Sequence, residues 1–454
     1  PANIQISIFD NNKVDFNLSY GANIRARGKI EADSAGDYRL HNLGLGFSTA
    51  LRNKTSPGIR VYGSLRQLSL DEWFDYYHAR IETQGADAAD LLELMDSVDI
   101  EVQSTFLFGN HLTSSYLNMK RKDAGFNAYI ESSMLKGRFD IPLQHSPVEP
   151  IVANLEYLRL QSSKSDSEST GLIPQDMFSL RLRSKVLTYD DMVFTDLQLE
   201  SRLQDDEFTI DKLAFRNNKV LLSSSATWQY TVATKQHRSA ANISITGQEF
   251  GQTMTALGLG DAMQNGEISL DGQVRWSGEL LNLDWESLVG DGRLEIIDGV
   301  LKNVDPGSGR IVGLMSLSAL PRRFSLDFKD VLLEGLDFDK ITGSYKIEGE
   351  NLYTTDTSMQ GSSAKISVTG RTGLLTRDYD QKLIIVPRLR HSLPVVGAIA
   401  AGTTVGLGLL LLQNLFKDAI DKSVQVEYLV TGTWENPQLE LVKKVVIERP
   451  KNEK

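Results

Sequence analysis

The sequence predicts a mainly β protein with a few short helices and a C-terminal helical insertion. Three observations carry this. Apolar residues recur at every second position along most of the chain. Short Gly/Asn/Asp turns separate the alternating stretches. Helical periodicity is confined to a few short segments.

The alternation begins at Ile4, Ile6 and Ile8 and continues through Val14, Phe16, Leu18 and Tyr20. It returns at Val98/Ile100/Val102, Leu197/Leu199, Phe208/Ile210, Ile243/Ile245, Phe324/Leu326/Phe328, Ile366/Val368 and Val424/Val426/Tyr428/Val430. Apolar residues on one side and Ser, Thr, Asn, Asp or Lys on the other are the pattern of half-buried antiparallel strands. Turns at Asp10-Asn11-Asn12, Arg216-Asn217-Asn218 and Gly349-Glu350-Asn351 join them. Short helices are expected after Asp71, over Ala86–Met95, over Glu249–Leu257 and over Ile311–Leu320. The polar stretch Gln161–Thr170 reads as a loop and a segment boundary. An imperfect strand-turn-strand unit recurs around Val98–Gly137, Val193–Trp228 and Arg322–Gly370, with Trp228, Trp276 and Trp434 closing strands. Unequal spacing argues against a strict solenoid and for one sheet extended by successive hairpins. The expected segments are 1–160 (β, with short helices near 71–96), 171–290 (β), 291–440 (containing the insertion 393–422) and a tail, 441–454.

Composition narrows the function. A net charge of -11 over 454 residues argues against a nucleic-acid partner, which needs clustered Lys and Arg. The absence of cysteine removes disulfides, thiol catalysis and Cys-based zinc sites together. The six histidines (His41, His78, His111, His145, His237, His391) have no i, i+4 pair, so no metal is expected. Gly307-Ser308-Gly309-Arg310 lacks P-loop spacing and reads as a turn. The acids Asp327, Asp330, Glu334, Asp337 and Asp339 could serve hydrolysis or calcium binding, but alternation with Leu326, Phe328, Leu336 and Phe338 makes them a solvated strand face. No Ser/His/Asp grouping stands out, so no enzyme and no cofactor are expected. The chain opens on Pro1 with a strand already in pattern, and is expected to be the C-terminal part of a longer protein.

From Ser392 to Phe416 runs an uncharged segment, SLPVVGAIAAGTTVGLGLLLLQNLF. As one helix it would reach about 37 Å, enough to cross a bilayer core. Pro394, Gly397, Gly402, Gly406 and Gly408 favour two short helices instead. A transmembrane span, a buried hairpin and a lipid-contacting or groove-capping insertion all remain open. The contact residues in the last case are Leu393, Val396, Ile399, Leu407, Leu409, Leu410, Leu411, Leu412, Leu415 and Phe416.

The stretch Gly290–Gly343 resembles the C-terminal region of the YhdP family of AsmA-like proteins. The matching pieces are VDPGSGRIVGLMSL, LPRRFSLDF and EGLDFDKITG, with the later GSSAKISVTGR and YLVTGTWENPQLEL. LRQLSLDEW (Leu65–Trp73) and Met177–Trp228 resemble its central β region more weakly. Gly361-Ser362-Ser363 departs from the family's glycine-proline at that turn. The resemblance implies a long curved antiparallel sheet forming an open apolar groove, of the bridge-like lipid-transfer type. It also implies a Gram-negative envelope protein anchored in the inner membrane by an N-terminal helix, crossing the periplasm toward the outer membrane and moving phospholipids. Residues expected to line the groove are Phe16, Leu18, Leu199, Phe208, Leu326, Phe328, Phe338, Ile366 and Val368. The alternative is a periplasmic tethering scaffold that carries no lipid.

Overall fold

Which face each strand presents is set by where its neighbour pairs, so register is the natural starting point. The computed structural model describes residues 2–9, 13–32, 38–51, 56–69, 93–107, 110–123, 125–143, 149–161, 171–204, 206–302, 336–362, 364–387, 422–434 and 436–448. Among them are 23 strands joined in one open sheet. A 3-10 turn (Pro174–Asp176) and a short helix, α1 (Phe250–Ala256), accompany them, and Glu93 and Leu94 are also helical. By contacts the chain divides into two units.

The first unit holds β1 (Ala2–Phe9), β2 (Lys13–Tyr20), β3 (Ile24–Ala32), β4 (Tyr38–Phe47), β5 (Gly58–Ser69), β6 (Met95–Leu107), β7 (Asn110–Lys122), β8 (Gly125–Glu131), β9 (Leu135–Pro142), β10 (Ile151–Leu160) and β11 (Leu180–Tyr189), with residues 195–203 of β12 (Met192–Gln204). From β1 to β11, neighbours in sequence pair in order. They are antiparallel except at β4–β5, β5–β6 and β10–β11, which are parallel.

The second unit holds β13 (Glu207–Asn217), β14 (Val220–Thr231), β15 (Gln236–Gly247), α1, β16 (Met263–Trp276), β17 (Val289–Leu301), β18 (Leu336–Glu348), β19 (Asn351–Gln360), β20 (Ala364–Gly373), β21 (Tyr379–Pro387), β22 (Lys422–Gly432) and β23 (Pro437–Glu448). These eleven strands pair consecutively and antiparallel throughout.

Three expectations change. Of the helix expected over Ala86–Met95 the described residues Glu93 and Leu94 are helical, and it ends one residue early because Met95 opens β6 beside Ile59 in the parallel ladder. Residues 441–448 are strand and not tail, since pairing between Lys422 and Glu448 carries β23 to that point. The expected boundary at 290/291 falls inside β17. The expected helix over Glu249–Leu257 is found, with Glu249 and Leu257 as its caps. The expected helices after Asp71 and over Ile311–Leu320, the Gly307 turn, and Asp327, Asp330 and Glu334 lie outside the described residues, as does the apolar segment 392–416.

Glycines admit large rings at two points. The Phe16 ring lies across Gly28 on the neighbouring strand, where a Cβ would come 2.5 Å from Phe16 Cζ and 2.7 Å from the Asn42 carbonyl oxygen. Phe338 covers Gly299 in the same way, 2.4 Å from the position of a Cβ. The Asn42 contact is with backbone, so ring rotation cannot relieve it. Gly28→Val is expected to cost about 2–3 kcal/mol or more of local stability, read as earlier thermal unfolding and faster proteolysis within β2–β4; an unchanged profile would refute this packing.

The β20–β21 turn is held by charge. Arg371 donates from Nη1 to Asp378 Oδ1 (3.1 Å) and Asn351 Oδ1 (3.0 Å), and from Nη2 to Asp378 Oδ2 (2.6 Å). Thr376 also donates to Asp378. The Arg371 hydrogen bond, then that of Thr376, holds the Asp378 carboxyl below its ordinary range. A depressed carboxyl stabilises the fold above its unfolded pKa, and that stability is lost as pH falls through the folded value. Asp378→Asn is therefore expected to remove about 0.5–1 kcal/mol at neutral pH, since the pair is partly screened. Part of the acid sensitivity below about pH 4 goes with it. Thermal melts of both proteins from pH 7 to pH 3 check this: equal acid slopes would contradict it.

Candidate functional site

Residues directly opposite one another in a ladder project to the same side of a sheet. In the first unit one such row crosses eleven strands: Ile4, Leu18, Ala26, Leu45, Val61, Val98, Met119, Ala128, Phe139, Ala153, Leu182. Every member is apolar. The adjacent row on the opposite side runs through Asn17, Arg27, Arg60, Lys120, Asn127, Asp140 and Arg181. That polar side is tied by Arg27 Nε donating to Asn17 Oδ1 (2.6 Å), by an Asn127–Asp140 hydrogen bond and by an Arg60–Asp96 ion pair (2.7 Å).

The apolar row is not sealed. Leu18, Leu45, Val61, Met119, Phe139 and Leu182 are half-buried, and Ile4 is 61% exposed. Hydrocarbon side chains along this row therefore still meet water.

The second unit carries equivalent rows in a different state. Ile268, Ile296, Ile341, Met359, Ile366, Ile385 and Val426 are paired across β16–β22 and are between 0 and 7% exposed. Phe250 and Met254 of α1 belong to the same buried cluster. The ladder is interrupted along a line through Gly266 and Asp298, where Asn265 and Asp298 take φ of 56° and Gly266 of 87°. Across that line the apolar positions change parity. Met263, Leu301 and Phe338 stand on one side of it and Ile268, Ile296 and Ile341 on the other, all in one cluster.

A neighbouring row departs from pure hydrocarbon. Ile243, Gly272, Gly292 and Tyr345 are followed by Thr354, Gly370, Gln381 and Val430. The first four are half-buried; Thr354, Gln381 and Val430 are buried. No residue in any of these apolar rows is charged. Charges sit on the other side, where Lys340 meets Glu295 (2.7 Å) and Lys382 meets Glu427 (2.6 Å). Asp337 and Asp339 are exposed there, as a solvated strand face. Two concavities, of about 550 and 280 Å³, also lie on that polar side, lined by residues such as Asp271, Gln273 and Asp291, and Arg293, Glu295 and Asp356.

The expected lining residues distribute unevenly. Phe16 and Leu18 lie half-buried on the apolar face of β2, and Leu199 is half-buried on β12. Phe208 is buried opposite Trp228. Phe338, Ile366 and Val368 are on the apolar face but only 1–3% exposed. Leu326 and Phe328 lie outside the described residues, with all ten insertion residues from Leu393 to Phe416. Leu45, Val61, Met119 and Phe139 were not singled out in the sequence, although Leu43/Leu45/Phe47 and Leu117/Met119 alternate there. Among the described residues no group of His, Cys, Asp or Glu is arranged to hold a metal, and no helix is long and apolar enough to cross a membrane.

Comparison with known proteins points one way. The family model described as YhdP protein matches residues 1–439. The intermembrane phospholipid transporter YhdP of Escherichia coli (strain K12) is 23% identical over 218 residues, 48% of this chain and 17% of that protein. This chain thus covers a minor part of that relative's length. No solved structure matches. With a match over nearly its whole length, the chain belongs to the YhdP family.

Proposed function

We propose that this chain is part of a non-enzymatic phospholipid conduit between the inner and outer membranes. Acyl chains slide along the apolar face of the sheet while headgroups stay in water. The observation that carries the reading is the eleven-strand uncharged row from Ile4 to Leu182, which keeps partial exposure along most of its course. An isolated diacyl lipid exposes about 30 methylenes, each costing about 0.8 kcal/mol, or roughly 20 kcal/mol in all. A hydrocarbon path one side chain wide and many strands long removes much of that barrier and needs no bond-making chemistry. The name of the Escherichia coli relative supports phospholipid as cargo. A periplasmic location, an inner-membrane anchor elsewhere in the protein and a C-terminal end directed to the outer membrane belong to the same proposal. So does a membrane-contacting or groove-capping role for the segment 393–422.

The second reading is a periplasmic tethering scaffold. The closed cluster around Ile296, Ile341 and Leu383 favours it locally, because that part of the face is filled by protein.

Two experiments separate the readings. Photocrosslinkers at Leu45 and Phe139, in the intact protein in cells, are expected to capture phospholipid, whereas Lys120 and Asn127 on the opposite side capture little. Equal capture from both sides, or none, would favour the scaffold. Leu45→Lys places a charge facing hydrocarbon, which costs several kcal/mol. It is expected to slow lipid transfer about tenfold or more while changing stability by only about 1 kcal/mol, because the position is half-exposed. Undiminished transfer with a folded variant would remove the row from the path.

A further inference from the structure

The middle rows of the first unit's apolar face are uncharged, but a cation stands at the border of that face. On β7, Leu117, Met119 and Arg121 share one phase, and Arg121 pairs with Phe126 on β8 as Met119 pairs with Ala128. Phe126 is 6% exposed and stands opposite Ile141 on β9. The Arg121 guanidinium carbon lies 5.5 Å from the centre of the Phe126 ring, and Nη1 donates to the Met95 carbonyl oxygen (3.4 Å). The ring contact brings the cationic head to the hydrocarbon side of the sheet, although its neighbours Lys120 and Lys122 take the opposite phase. A guanidinium stacked on an aromatic ring holds its plane, and so its forked donors, in a fixed orientation.

Three features define the ligand. Arg121 is half-buried while Phe126 beneath it is closed, so the head meets water at the edge of the hydrocarbon. Two residues along a strand span about 7 Å, which sets Arg121 one row beyond Met119, Ala128 and Phe139. A glycerol backbone separates a phosphate from the first acyl methylenes by a comparable distance. Finally, the chain as a whole carries a net charge of -11, which disfavours anions over most of its surface. Lys120-Arg121-Lys122 reverses that sign locally, and a guanidinium fork matches two phosphate oxygens.

We infer that Arg121 holds the phosphodiester of a glycerophospholipid whose acyl chains lie over Met119, Ala128 and Phe139. Resting on the lipid-conduit reading, this assigns a headgroup contact to the border of the path. The contact reads the phosphate common to all glycerophospholipids, and it separates them from an uncharged diacylglycerol.

The test uses the intact protein with dioleoylphosphatidylethanolamine, dioleoylphosphatidylglycerol, 1,2-dioleoylglycerol and inorganic phosphate as separate probes, followed by native mass spectrometry. Arg121→Met keeps the length of the side chain and removes its charge. It is expected to weaken retention of both phospholipids about tenfold, the equivalent of one charge-assisted contact, and to leave diacylglycerol unchanged. Lys120→Met removes the same charge from the opposite side and is expected to alter none of them. Equal phospholipid loss in the two variants would reduce the effect to net charge and overturn the contact. So would unaltered phospholipid retention in Arg121→Met, or an equal loss of diacylglycerol. Inorganic phosphate bound by the unsubstituted protein and lost in Arg121→Met, with phospholipid retention intact, would mark a free-anion site and overturn it too. Should Arg121→Met melt early, Arg121→Gln decides on the same criteria. A crosslinker at Phe139 keeps the two readings apart: capture of phospholipid there in a failing Arg121→Met experiment leaves the conduit standing, whereas no capture in the unsubstituted protein refutes the conduit and the contact with it.

Discussion

The structure depends on keeping charge off one face of a very long sheet. Each strand can do this only while its period of two is in phase with both neighbours, because a slip of one residue exchanges the faces. The row from Ile4 to Leu182 holds that phase across eleven strands and through three parallel pairings. Ion pairs on the opposite face, Lys13–Glu31 (3.0 Å), Lys340–Glu295 and Lys382–Glu427, join adjacent strands at fixed positions. Individually such exposed pairs contribute little stability. Their effect is on register, since a slipped strand would bring these charges to the hydrocarbon side.

The same constraint has different outcomes in the two units. In the first, Ala26, Val98, Ala128 and Ala153 are buried but the larger side chains between them remain half-buried or exposed, and so stay accessible. In the second, Ile296, Ile341 and Leu383 have no exposed surface, and α1 contributes Phe250 and Met254 to the cluster around them. Burial this complete requires atoms above the face as well as beside it. Chemical continuity and accessibility are therefore separate properties of this sheet: a residue can have the right character and side for a lipid path and still be packed as core.

The alternation that defines the strands is local, and it was legible residue by residue. Accessibility and pairing are not local, and they were not. Phe338, Ile366 and Val368 belong to the apolar face as their spacing implied, but nothing in an alternating sequence distinguishes a half-open row from one closed to 1–3% exposure. The parallel placement of β5 beside β6 depends on partners 36 or 37 residues apart. Positive φ at Asn265 and Asp298 re-phases β16 and β17, so strict counting by two carries Met263 and Ile268, and Ile296 and Leu301, to opposite faces when all four are buried together. Gln381 had a readable signal: in YDQKLIIVP it occupies the phase of Leu383 and Ile385, and a polar residue in an apolar phase is the local inconsistency worth pursuing.

That inconsistency also has an energetic cost. A sheet selected only to hold itself together gains by replacing a buried glutamine with hydrocarbon of similar volume, because the orphaned carbonyl then no longer has to be desolvated. One such group, the Gln381 carbonyl, lies on the apolar face between Gly370 and the buried Val430. It lowers the stability that a wholly hydrocarbon core would have. The hydrogen bond from Gln381 Nε2 to Thr372 Oγ1 (2.7 Å) offsets part of that cost and ties β21 to β20.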